Sequence, residues 1–267
     1  MNPTPRTYNG DFANPPAALK LLLLERRWVN WKWVEGRNGK YTKPPFQPAH
    51  PESHAANDRS ETWDTSSAAI KAVLSGRANG IGFALTGSSY CAIDMDHCRD
   101  PVTGKIDAWA RALLDRAPNA YVEATVSGTG LRIIGVGSGP AAHRKFSIPN
   151  TLNGAGVEVY RKATRYITIS CLQIGTCVKL TNIDELIYFI IAQYERYAAK
   201  QPEQAASPPP ELKDKPTAGD IDSFDQEWSS DRTAQRRVRP GCVVAGGDWP
   251  HTGTDRDGAA AIFPGYR

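Results

Sequence analysis

The sequence predicts an α+β fold, and three observations carry that prediction. Strand-type alternation recurs in seven short segments, four of them following one another in the second half of the core. Helical periodicity is confined to four windows, and apolar patterning of any kind stops after Lys200.

Residues 1–15 are rich in Pro, Asn and Thr and are expected to be a disordered lead-in, with Pro16 to Arg26 as the first short helix. Trp28, Trp31 and Trp33 alternate with basic and polar residues and read as a strand. Gly36 to Pro48, carrying Lys40, Lys43 and adjacent prolines, then reads as a turn and an extended arm. Thr65 to Ser75 is a helix stopped by Gly76, and Ile81 to Leu85 alternates like a strand. Thr86-Gly87-Ser88-Ser89 predicts a hairpin turn into the strand Ala92 to Cys98. After a turn at Asp100 to Gly104, Ile106 to Ala117 has amphipathic spacing with Trp109, Leu113 and Leu114 inward. Strands at Tyr121 to Thr125, Leu131 to Val136, Gly156 to Tyr160 and Tyr166 to Ser170 follow. The helix Ile183 to Lys200 closes the core, with Asn182 and Glu185 in capping-box spacing. One ordered domain over residues 16–200 is therefore expected. Residues 201–267, with Pro208-Pro209-Pro210 and little apolar periodicity, read as a linker or disordered tail.

At 267 residues, 40% hydrophobic and 22% charged, the chain has the composition of an ordinary globular protein. Leu21 to Leu24 is the start of no long apolar run, so no membrane segment is expected and the cytoplasm is the expected location. Five cysteines, odd in number and never spaced C-x-x-C, read as reduced thiols. A zinc site at Cys91, His97 and Cys98 would lack a second ligand pair at the usual spacing. Residues 1–200 hold 24 Lys and Arg against 17 Asp and Glu, while residues 201–267 hold 8 against 11. A basic body suits a polyanionic partner, though a surplus of this size is only weak support.

Three strands bring functional side chains to one face. In Ile93-Asp94-Met95-Asp96 the alternation sends both acids to the side opposite Ile93 and Met95. Two ionised carboxylates held side by side repel each other and call for a cation, magnesium or manganese with a phosphate-bearing substrate being the usual solution. The plainer reading is a strand end with two solvated acids. Ser127-Gly128-Thr129-Gly130 is a small flexible turn entering Leu131-Arg132-Ile133. It is either a simple hairpin turn or a cradle in which backbone N–H groups and Arg132 meet a phosphate. Val157-Glu158-Val159-Tyr160 puts Glu158 between core valines as a third acid, followed by Arg161, Lys162 and Arg165, a basic run that is either a solvated hairpin or a cluster suited to a triphosphate.

In this order and spacing, the segments Gly80 to Thr86, Ala92 to Cys98, Ser127 to Ile133, Val157 to Tyr160 and Arg165 to Ile169 resemble the primase-polymerase domains of phages, prophages and plasmids. These domains belong to the archaeo-eukaryotic primase superfamily. The resemblance spans about residues 25–195 and takes in Trp31 to Pro45 and Thr62-Trp63. It implies an RRM-like antiparallel sheet with helices behind it and an accessory N-terminal α/β layer. It also implies template-dependent nucleotidyl transfer, as DNA primase, DNA polymerase or both. By the resemblance Asp94 and Asp96 would hold two Mg²⁺ or Mn²⁺ ions and Glu158 would complete the acidic set. Ser127, Gly128, Thr129, Gly130 and Arg132 would contact the incoming nucleotide, with Arg165 and Lys43 on its triphosphate. The implied partners are a single-stranded DNA template and dNTPs or rNTPs. The chain departs from many members of the family in carrying Arg132 where they have His. It also lacks a G-x-x-x-x-G-K-[ST] loop, so unwinding would fall to a separate helicase.

Two other readings compete. A catalytically silent fragment could bind single-stranded DNA through the Trp-rich segment and a basic sheet face. A D-x-D sugar-nucleotide transferase would share the metal logic but gives no reason for Ser127 to Gly130 or for Glu158.

Overall fold

The computed structural model describes residues 3–149, 151 and 154–200. In chain order the strands are β1 (Trp28–Trp31), β2 (Val34–Glu35), β3 (Tyr41–Thr42), β4 (Pro45–Phe46), β5 (Gly80–Ala84), β6 (Tyr90–Asp96), β7 (Tyr121–Ala124), β8 (Leu131–Val136), β9 (Ala142–Ser147), β10 (Gly156–Arg161), β11 (Tyr166–Ile169) and β12 (Gln173–Ile174). The helices are α1 (Lys20–Leu24), α2 (Ser66–Leu74), α3 (Ala108–Leu114) and α4 (Asp184–Lys200). The fold is α+β with antiparallel sheets: a six-stranded sheet in the order β12-β7-β8-β6-β10-β9, a four-stranded sheet β11-β5-β1-β4, and the hairpin β2-β3.

Local signals account for most boundaries. Thr65 caps α2, its Oγ1 accepting from the Ala68 N–H at 3.2 Å, and Gly76 ends the helix at φ 74°. Asn182 Oδ1 accepts from the Asp184 N–H at 2.8 Å where α4 begins. Strand β6 stops at Asp96 because His97 turns the chain at φ 53°.

The four-stranded sheet turns Trp28, Ile81, Phe83, Ile167 and Ile169 inward. There they form one hydrophobic cluster with Leu19, Leu22 and Ala69 and with Ala92, Tyr121, Ile134 and Tyr160 of the larger sheet. The opposite face of the larger sheet carries Ile93, Met95, Ile133, Val157 and Val159, all at most 1% exposed. Helix α4 covers it near β9, where Phe146 and Tyr194 stack at 4.5 Å. Arg116, just past α3, lies 3.5 Å over the ring of Phe189 on α4.

Three expectations are corrected. Thr86 to Ser89 is not a hairpin turn, since β5 pairs with β1 and β11 while β6 pairs with β8 and β10. The turn therefore hands the chain from one sheet to the other. The lead-in is ordered over its described part: the Tyr8 N–H donates to Val126 O at 2.9 Å, the Gly10 N–H donates to Ser170 O at 2.8 Å, and Phe12 is only 6% exposed. Backbone pairing and one buried ring hold a segment whose composition alone suggests disorder. On α3, Ala110 rather than Leu114 joins Trp109 and Leu113 in the core. The tail expected at 201–267 lies outside the described residues, as does Cys242. No described helix is long and apolar enough to cross a membrane.

Candidate functional site

The register of the six-stranded sheet lines up one row of charged residues. Glu123 on β7 faces Arg132 on β8, Arg132 faces Asp94 on β6, Asp94 faces Glu158 on β10, and Glu158 faces Lys145 on β9. Directly opposed side chains in an antiparallel pair have Cβ atoms about 5 Å apart, so each neighbour in the row is within interaction distance. The row lies on the face that meets the four-stranded sheet. Beyond the shared apolar cluster the two sheets leave a cleft of about 390 Å³ lined by Lys43, Asp94, Asp96, Ser127, Arg132 and Arg165, among others. That volume is in the range of small-molecule sites.

Within the cleft the charges are strongly paired. Arg132 Nε donates to Asp94 Oδ1 at 2.5 Å and Nη2 donates to Oδ2 at 2.7 Å, a bidentate pair with the side chains 8% and 13% exposed. Arg132 Nη1 donates to Thr168 O and, at 2.7 Å, to Thr168 Oγ1, so one guanidinium ties β8 to the open edge of β11. Burial works against the charge on Arg132, but Asp94 and then Glu123 more than offset it and keep it protonated. Glu158 accepts from His143 Nε2 at 2.9 Å and from Lys145 Nζ at 3.0 Å, with Arg165 at 3.7 Å. Burial alone would raise its pKa, and these hydrogen bonds reverse the shift to a net lowering.

Asp96 differs from both acids. No hydrogen bond or ion pair to its carboxylate is found among the described residues, and the residue facing it across β10 is Gly156, which has no side chain to fill the space. Burial first, and then the charge of Asp94, push its pKa up. Lys43 is pushed down, by burial first and then by Arg132, with Asp96 and Asp94 acting the other way. Its Nζ lies 4.6 Å over the Trp33 ring.

The donor chemistry fits a divalent cation at the acid pair: both Asp96 oxygens are without a hydrogen bond or ion pair among the described residues, and each Asp94 oxygen keeps lone pairs beyond its single guanidinium bond. Glu158 stands beside Asp94 in register with both oxygens engaged. No group of three His, Cys, Asp or Glu side chains suited to a metal is found among the described residues. Burial pushes the Cys91 and Cys98 thiols up, to about 11 and about 12.

The turn of Ser127 to Gly130 departs from the expected phosphate cradle. The Gly128 N–H donates to Thr125 O and the Gly130 N–H to Thr125 Oγ1, so both amides are used within the turn. The Thr125, Ser127 and Thr129 hydroxyls link in sequence at 3.0 Å. Gly128, at φ 78°, lies under the Tyr8 ring, where a Cβ would come within 2.8 Å. Of the expected nucleotide contacts, Ser127, Arg132, Arg165 and Lys43 line the cleft, whereas Gly128, Thr129 and Gly130 shape the turn behind it.

The basic cluster after β10 divides. Arg161 is on the opposite face of the sheet, 1% exposed and paired with Asp184 at 2.5 Å, and Lys162 Nζ donates to Ser138 O. Only Arg165 reaches the cleft. Trp28, Trp31, Trp63 and Trp109 are buried, which leaves Trp33 half-buried beside Lys43 as the one aromatic of the Trp-rich segment near the cleft. Sequence reasoning passed over Glu123, His143 and Lys145. The last two lie on β9, whose alternation of Ala142 and Phe146 with His143 and Lys145 is the signal that would have found it. No family model matches the chain, and no curated protein matches it either.

Proposed function

We propose that the chain is a template-dependent nucleotidyltransferase, a DNA primase or polymerase acting in replication of a phage, prophage or plasmid. In this reading the six-stranded sheet is its RRM-like catalytic core and the four-stranded sheet with α1 and α2 is the accessory layer. One observation carries it. A cleft of nucleotide size brings together an acid pair in which Asp96 has no hydrogen bond or ion pair among the described residues, three cationic side chains and a hydroxyl-bearing turn, from four separated chain segments.

Asp96 and the outer lone pairs of Asp94 would hold Mg²⁺ or Mn²⁺. When bound, the ion supplies charge neutralisation at the reacting phosphate. Arg132 fixes both Asp94 oxygens against the Thr168 edge, so the acid does not swing when a polyanion enters. Lys43, between β3 and β4, and Arg165, just before β11, line the cleft and would neutralise a triphosphate, and Ser127 offers a hydroxyl. Burial lowers the Lys43 pKa, but the two nearby aspartates favour its charged form.

The test is incorporation of labelled dNTPs and rNTPs on single-stranded and primed DNA with Mg²⁺ or Mn²⁺. Asp94→Ala, Asp96→Ala and the double variant serve as controls. Metal-dependent product should fall by about 10²- to 10³-fold in Asp96→Ala, about 3–4 kcal/mol of transition-state stabilisation. Equal synthesis by the double variant would end this reading.

A second reading is favoured by the pairing of Asp94 and Glu158 with basic groups, which leaves little free negative charge in a basic cleft. On it the chain binds single-stranded DNA without catalysis. Metal-independent binding that weakens steeply with salt, with no incorporation, would establish it.

A further inference from the structure

Of the six carboxylate oxygens on Asp94, Asp96 and Glu158, four accept hydrogen bonds from Arg132, His143 or Lys145. The two that remain belong to Asp96. The row of charges explains why. Asp94 and Glu158 face each other across β6 and β10, and like charges so placed repel. A bridging cation is one remedy. This chain supplies another, flanking the acids with Arg132 on one side and Lys145 with His143 on the other. Arg132 is the fixed partner: it is buried, shared with Glu123 one strand further on, and anchored on Thr168.

We propose that Arg132 is a positioning residue that acts as a built-in cation. It holds both Asp94 oxygens, stands where a second divalent ion would be needed, and restricts the acid pair to a single ion carried mainly by Asp96. The inference rests on the nucleotidyltransferase reading of the cleft and narrows it to one resident ion, with a guanidinium as the second positive centre. Arg132 already answers Asp94 and Lys145 already answers Glu158, so the three carboxylates and these two cations carry a net charge of −1. One divalent ion brings the group to +1, and a second would bring it to +3 in a partly buried cleft before any nucleotide arrives. Arginine suits this part because it stays protonated and its planar fork matches both carboxylate oxygens at once.

Mn²⁺ titration of the full-length chain without nucleotide, read from the spin-resonance signal of free Mn²⁺, tests this independently of synthesis. Circular dichroism reports the folding of each variant. Wild type should bind one ion, Asp96→Asn should bind it at least about tenfold more weakly, and Glu158→Gln should stay within about threefold of wild type. Arg132→Gln should bind its first ion about tenfold more tightly or admit a second, while Arg132→Lys should keep a single ion. Two ions or none on the wild type, loss of the ion in Glu158→Gln, or an Arg132→Gln profile identical to wild type would each overturn the proposal. Should Arg132→Gln fail to fold, the contrast between Asp96→Asn and Glu158→Gln decides the outcome. Incorporation is measured on the same preparations. Absent synthesis with a single Arg132-limited ion would count against the polymerase reading alone, and synthesis with two ions against the built-in cation alone.

Discussion

Two buried arginine–aspartate pairs sit on opposite faces of the same sheet, and they differ in what surrounds the acid. Asp184 accepts from Arg161 at 2.5 Å and from the Ser138 N–H at 2.8 Å, with the Gly139 N–H and Asn182 Nδ2 also in reach. Arg161 in turn donates to Pro140 O at 2.7 Å and lies 4.5 Å from the Tyr188 ring centroid. Every charge there is answered, at the point where α4 joins the sheet. Asp94 is held as firmly by Arg132 but stands beside Asp96, an acid without a partner among the described residues. A closed pair of this kind does structural work, whereas a pair adjoining an uncompensated like charge at a cleft has something left to bind.

The comparison is tested most severely by Asp184→Ala. It strands Arg161, 1% exposed, with no other carboxylate paired to it among the described residues, and should cost about 3–5 kcal/mol of unfolding free energy. Denaturant titration measures this, and incorporation by the protein that remains folded should be unchanged. A stable Asp184→Ala variant with lost synthesis would reverse the roles assigned to the two faces.

Asp94→Ala should behave in the opposite sense. Arg132 keeps Glu123 across the strand and both Thr168 oxygens, so the loss is that of a charged hydrogen-bonded pair, about 1.5–3 kcal/mol. Synthesis should nevertheless disappear. Denaturation and incorporation measured side by side on the two alanine variants would sharpen the contrast: the larger stability loss should accompany the smaller functional loss.

How far this division could be read from sequence depends on the range of the interaction that makes it. Alternation alone separates Asp94 and Asp96 from Ile93 and Met95, and it brings Glu158 to the same face, because the period of two is local. The same rule puts Arg161 with Val157 and Val159 on the far face, and reading Arg161 to Arg165 as one cluster overlooked it. Arg132 was legible as a cation near the acids but not as the partner of Asp94. That pairing depends on the register between strands 38 residues apart, which no local pattern encodes. Residues 3–15 illustrate the same limit. Their order comes from backbone pairing with Val126 and Ser170, partners far away in the chain, so a Pro- and Asn-rich composition gave the opposite impression.

The smallest effect separates the two acids by sign. Hydrogen bonds from Ser138, Arg161 and Gly139 outweigh burial and hold the Asp184 carboxyl at about 2, below its ordinary 3.8. The unfolded chain then binds more protons than the native one between those values, so Asp184 stabilises fully above pH 3.8 and loses that contribution as pH falls toward 2. Asp96 is shifted upward, by burial first and then by Asp94. Here the native state holds the extra proton. Its contribution is therefore present below 3.8 and is lost as pH rises through the elevated value, leaving Asp96 a net cost at neutral pH. Unfolding free energies measured across acid pH should show Asp184→Asn losing the rise in stability between about 2 and 3.8. Asp96→Asn should flatten a decline that begins above 3.8 and should be slightly more stable than wild type at pH 7. Saturating Mn²⁺ should reduce that advantage, because a cation that binds only the folded wild type relieves the repulsion the substitution removes. If the two asparagine variants instead shift the profile in the same direction, the cleft acid is as fully compensated as the structural one and the distinction between the two pairs fails.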